Sequence, residues 1–73
     1  MMILEVDDNG RLERIAVIVG NSDKEVDGRK FFGGYRLKTE YLEEVWFDMA
    51  LWDIALVSDG DYLKTYRLTR KAS

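Results

Sequence analysis

A chain of 73 residues, about half the length of a typical domain, is expected to form one unit over residues 1–73 around a single small core. It contains neither Cys nor His, which excludes disulfides, Cys/His zinc sites, iron–sulfur ligation, thiol nucleophiles and any His general base. The net charge of −3 is unevenly spread: residues 1–38 balance to zero, residues 39–63 carry seven acids and no base, and residues 64–73 carry four bases and no acid.

In chain order, Asn9-Gly10 is the strongest hairpin signal, because a type I′ turn needs positive φ at both central residues. Around it Asp8 faces Arg11, Val6 faces Glu13, Glu5 faces Arg14, Leu4 faces Ile15 and Met2 faces Val17, with opposite charges supporting the register. Ile15 to Val19 is apolar on both faces and reads as a strand inside a sheet, while Met2 to Asp7 reads as an edge. Gly20 to Lys30 reads as a mobile polar loop closed by Asp27-Gly28, and the Gly33-Gly34 pair among aromatics suggests a bulge or sharp bend.

Thr39 can cap a helix whose first turns hold Glu40, Glu43 and Glu44, with Leu42, Val45, Trp46 and Met49 as its apolar stripe. Asp59-Gly60 predicts a second two-residue hairpin turn, with Val57 opposite Tyr62, Leu56 opposite Leu63 and Ile54 opposite Thr65. The basic C-terminal strand reads as an edge protected by charge, with Lys71-Ala72-Ser73 frayed. The expected fold is therefore α+β, a small antiparallel sheet from two hairpins with one helix packed on it. Its expected core is Leu4, Ile15, Val17, Val19, Leu42, Val45, Trp46, Met49, Ile54, Leu56 and Leu63.

Few residues point to chemistry. Asp23, Glu25, Asp27 and Gly28 match the first half of an EF-hand loop, but the eighth position is Lys30 and the twelfth Gly34, so no metal site is expected. Carboxylate pairs such as Glu43 with Glu44, or Asp59 with Asp61, have structural reasons to stand at a helix start and a turn. No catalytic residue and no cofactor is expected, and no enzymatic role. Lys64 to Lys71 interleaves bases with Tyr66, a composition suited to a phosphate backbone, although the acidic balance opposes autonomous nucleic-acid binding. Apolar runs of about five residues are far short of the ~20 that span a membrane, and no secretory signal is read at the start, so an intracellular location is expected.

Over its length, through MMILEVDDNGRLERIAVIVG and the acidic-aromatic EYLEEVWFDMALWDIALV, the chain resembles the small phage-encoded RNA-polymerase-binding transcription regulators known from a Xanthomonas phage. The resemblance implies a protein of the host cytoplasm that binds bacterial RNA polymerase at the N-terminal part of β′, beside the RNA exit channel; the chain itself is expected to be a monomer. The resemblance also implies inhibition of σ-dependent initiation and readthrough of intrinsic terminators, aided by NusA. On physical grounds the partner-binding residues are expected to be Glu5, Asp7, Glu40, Glu43 and Glu44 on the acidic side. Arg67, Arg70 and Lys71 on the basic side would face a neighbouring subunit or emerging RNA. The alternative is an acidic DNA mimic that inhibits a nucleic-acid-binding defence enzyme through the seven acids of residues 39–63. A non-regulatory virion or assembly subunit is also open.

Overall fold

The computed structural model describes residues 1–72, and among them every regular element is a strand. These are β1 (Met2–Asp8), β2 (Arg11–Val17), β3 (Asp23–Val26), β4 (Arg29–Lys38), β5 (Tyr41–Asp48), β6 (Trp52–Asp59) and β7 (Lys64–Arg70). They form a four-stranded sheet in the order β2-β1-β7-β6 and a three-stranded sheet in the order β3-β4-β5. The architecture is all-β, which overturns the α+β expectation and its helix.

The first hairpin has the register read from its sequence, from Met2 opposite Val17 to Asp8 opposite Arg11. Asn9 and Gly10 adopt φ of 55° and 89°, and the Gly10 N–H donates to the Asp7 carboxylate at 2.9 Å. The placement of this hairpin differs from expectation. β1 is interior, with β7 running parallel to it on the side away from β2, and β2 is the edge. β7 is interior too, between β1 and β6. The parallel pairing aligns Leu4 with Tyr66 and Val6 with Leu68, which completes an apolar row that no local hairpin could supply.

Beyond Val17 the chain crosses between sheets. The Ile18 N–H donates to the Tyr35 carbonyl at 2.6 Å and the Gly33 N–H to the Ser22 carbonyl at 2.9 Å. Residues 20–30 therefore do not form the expected loop: Asp23–Val26 pairs antiparallel with β4 across the Asp27-Gly28 turn. The Gly33-Gly34 pair makes no bulge, since both residues stay in register with β5. A Cβ at Gly33 would lie 1.9 Å from the Val45 carbonyl oxygen, and one at Gly34 would lie 2.7 Å from Val17 Cγ1. The glycines admit close approach of a strand on one side and of the facing sheet on the other.

The helix expected from Thr39 is the β4–β5 hairpin. Thr39 and Glu40 make the loop, Lys38 pairs with Tyr41, and Thr39 takes a φ of 53°. The stripe Leu42, Val45, Trp46 and Met49 is met equally by β-forming residues, because Tyr41, Val45, Trp46 and Phe47 favour strands and each has a partner on β4. The second hairpin is offset from its expected register. Its loop is the longer Gly60–Leu63, closed by the Gly60 N–H donating to the Leu63 carbonyl at 3.0 Å, so Asp59 pairs with Lys64 and Ile54 with Leu68. Val57 is an extra residue between Leu56 and Ser58.

The core comprises Met2, Leu4, Val6, Val17, Phe32, Val45 and Leu68, with Leu4, Val17 and Leu68 fully enclosed. Ile15, Val19, Phe47, Trp52, Ile54 and Tyr66 pack around it, and Phe32 meets Tyr66 edge-on across the sheets at 5.0 Å between ring centres. Leu42, Met49, Leu56 and Leu63, expected inside, are exposed, and Trp46 is only half-buried. At the chain end the Lys71 N–H donates to the Leu51 carbonyl at 2.9 Å, which ties down a residue expected to fray, while Ser73 lies outside the described residues.

Candidate partner-binding surface

Alternation along the three-stranded sheet sends Phe32, Val45 and Phe47 toward the core and leaves the opposite face without a covering layer. That outer face presents Val26 from β3, Phe31, Tyr35 and Leu37 from β4, and Leu42 and Trp46 from β5. Leu37 and Leu42 stand directly opposite each other and are 67% and 56% exposed. Val26, Tyr35 and the adjoining Met49 are exposed as well. The Trp46 ring lies opposite Gly33, meets Tyr35 edge-on at 6.0 Å and carries the Lys24 ammonium 4.5 Å above it. Its indole N–H is covered and has no hydrogen-bond partner. Lys24 also reaches Glu44 at 3.9 Å, and Arg29 pairs with Asp48 at the far end of the same face, so two charge pairs border the apolar residues.

The residues expected to bind a partner do not come together. Glu5 lies on the interior strand β1 and is held by Arg14 at 3.8 Å and Arg67 at 3.0 Å, leaving its side chain 18% exposed. Asp7 receives the turn N–H of Gly10. Glu43 and Glu44 point to opposite faces of β5, so the acidic helix start does not exist, and Glu40 stands in the β4–β5 loop. Arg36 at 3.1 Å and Lys38 at 3.4 Å neutralise Glu43. At the basic end Arg67 is spent on Glu5, the Arg70 guanidinium stacks over Trp52 at 5.2 Å, and the Lys71 ammonium donates to the Met49 carbonyl at 3.3 Å.

The two perturbed carboxyls are structural. A hydrogen bond from Arg36, aided by one from Lys38 and opposed by desolvation, lowers Glu43 below the ordinary glutamate value. Asp48 is lowered first by the Ala50 N–H, which donates to it at 2.9 Å, and then by Arg29. Asp48 is buried at the turn leading into β6, where it organises the chain. Among the described residues no group of three or more acids is placed to hold a metal ion.

No family model, curated protein or solved structure matches the chain. The sequence conceals the surface because the spacing of Leu42, Trp46 and Met49 reads as a helix stripe, which separates them from Tyr35 and Leu37 on the preceding strand. The signal that could have found it is Phe31-x-x-x-Tyr35-x-Leu37 against Leu42-x-x-x-Trp46, all on one face once both segments are read as strands.

Proposed function

We propose that the chain is a phage-type regulator that binds host bacterial RNA polymerase at the N-terminal part of β′, beside the RNA exit channel. There it inhibits σ-dependent initiation and, with NusA, promotes readthrough of intrinsic terminators. The observation that supports a binding role is the uncovered outer face of β3-β4-β5. A contiguous apolar and aromatic surface on a small monomer marks an interaction site, and here it carries Trp46 and Tyr35, residue types that anchor interfaces. The whole-chain resemblance supplies polymerase as the partner. Occupying a control point needs no turnover, so the protein acts stoichiometrically in the host cytoplasm. The docking residues are Leu37, Leu42, Tyr35 and Trp46, with Lys24 and Glu44 as the polar pair and Glu40 at the border.

The DNA-mimic reading loses its support. Of the seven acids in residues 39–63, Glu43, Glu44, Asp48, Asp53 and Asp59 lie within 4.0 Å of a Lys or Arg nitrogen, which leaves no free anionic array.

The test uses purified bacterial polymerase, measuring affinity, promoter run-off and readthrough of an intrinsic terminator with and without NusA. Leu37→Glu combined with Leu42→Glu, at exposed positions, should keep the thermal midpoint and lower affinity about 10- to 100-fold, the loss of one or two interface anchors. A native protein that leaves polymerase unbound refutes the polymerase assignment. Polymerase binding untouched by the double substitution refutes the docking face.

A further inference from the structure

Four strand edges bound the two sheets: β2 and β6 in one, β3 and β5 in the other. Natural edges are blunted by brevity, charge, proline or a bulge. β3 is four residues long and carries Asp23, Lys24 and Glu25. β2 carries Arg11, Glu13 and Arg14, and the chain leaving it bonds to β4. β5 has Glu43 and Glu44 at its middle. β6, WDIALVSD, has no base and no proline, and its acids stand only at the second and last positions. Its extra residue at Val57 leaves Trp52 to Leu56 in unbroken register against β7.

The side chains of that stretch are as telling as its backbone. Trp52, Ile54 and Leu56 share the face turned toward the core, yet Trp52 and Ile54 are only partly covered and Leu56 is 48% exposed. β5 and β6 follow each other in the chain but belong to different sheets, so the fold is open along this side. On the other face of β6 stand Ala55 and Asp53, whose side chain is 72% exposed.

We infer that the free edge of β6 is a second docking element that takes an extended segment of a partner protein as an added strand, one in which apolar residues alternate with Lys or Arg. Backbone pairing supplies the attachment. The segment's apolar side chains continue the core over Ile54 and Leu56, and its bases lie on the opposite face with the largely exposed Asp53. A second copy of this chain fits less well. Antiparallel pairing of two identical edges brings Asp53 of each copy toward the Asp59 end of the other. The inference does not rest on polymerase as partner, and its test uses no polymerase.

The full chain is titrated with a capped ten-residue peptide of alternating valine and lysine, followed by backbone amide shifts and amide hydrogen exchange. Shifts and slowed exchange should centre on Trp52 to Leu56. Two further peptides are N-methylated, one at every valine and one at every lysine, and each lacks the donors of one strand edge. At least one should bind about tenfold more weakly, as should a valine–glutamate peptide and the Ala55→Lys protein, whose thermal midpoint should be unchanged. Equal binding of both methylated peptides, or shifts centred on Leu37, Leu42 and Trp46 instead, overturns the inference. A concentration-dependent dimer in sedimentation that Ala55→Lys abolishes overturns it in favour of a second copy.

Discussion

Replacing Gly33 with alanine tests how the docking face is built. The added Cβ would sit 1.9 Å from the Val45 carbonyl oxygen, 2.9 Å from its carbon and 3.2 Å from Trp46 Cα, all backbone atoms that no rotamer change can move. Ordinary contact begins near 3.4 Å, so β4 and β5 must part by about 1.5 Å at the centre of their ladder. Two neighbouring backbone hydrogen bonds then stretch past about 3.2 Å, and the buried groups left behind lose water as well. The loss is about 2–4 kcal/mol, against a total of ~3–5 kcal/mol for a domain of this size. The variant should lose most of its stability and unfold at a much lower urea concentration, read by tryptophan fluorescence. Gly34→Ala meets first a side-chain methyl, Val17 Cγ1 at 2.7 Å, and then the Ile18 carbonyl oxygen at 3.0 Å, so it should lose less. Gly20→Ala has nothing within 4 Å and should be nearly neutral. A Gly33→Ala protein as stable as Gly20→Ala would refute the tight pairing at Trp46 and the shape of the face around it.

Leu68 is fully enclosed on the parallel strand β7, and Leu68→Ala should lower stability by about 2–5 kcal/mol, with the larger value where the pocket fails to collapse. Thr39 is β-branched at a φ of 53°, so Thr39→Asn should raise stability by about 1 kcal/mol, seen as a higher thermal midpoint. Asp48 and Glu43 are both depressed in the folded protein, so the unfolded chain takes up their protons first as pH falls. Their stabilisation is present above the unfolded values of 3.8 and 4.5 and is lost below them. The midpoint should therefore drop between about pH 4.5 and 3, and Asp48→Asn should flatten that drop. Because five of the seven acids in residues 39–63 are paired with a Lys or Arg, the polymerase on-rate should change little with ionic strength; a steep fall with salt would restore electrostatic steering.

What could be read from the sequence was local. Asn9-Gly10 places two residues at positive φ, and the alternation on either side then determines every pair of the first hairpin. What could not be read was long-range. β7 lies more than fifty residues from β1, and nothing in either segment announces a parallel partner, so both interior strands read as edges in the sequence. The helix failed for a different reason. Leu42, Val45, Trp46 and Met49 satisfy a period of 3.6, whereas Val45 and Phe47 inward with Leu42, Glu44 and Trp46 outward satisfy a period of 2 with both faces partly apolar. The exposed apolar surface blurs the alternation that would have identified the strand. The feature that hid the fold is the one that marks the site.

The charge pattern shows the same gap between chain and fold. Along the sequence, seven acids gather between residues 39 and 63 and four bases follow them, which suggests a dipolar molecule steered by its ends. Folding undoes this. β3 and β4 bring Lys24, Arg29, Arg36 and Lys38 beside the acids of β5, and β7 and the residue after it bring Lys64 and Lys71 beside Asp59 and Asp53 at the two ends of β6. Each antiparallel neighbour cancels charge locally, so the field beyond a Debye length, about 8 Å in physiological salt, is much weaker than the segregation suggests. Recognition then depends on what the pairing leaves uncovered: the apolar face between Leu37 and Trp46, and the uncharged middle of β6. Acids placed far from bases in sequence can serve the sheet first, and a binding surface is better sought among side chains that the fold has not already used.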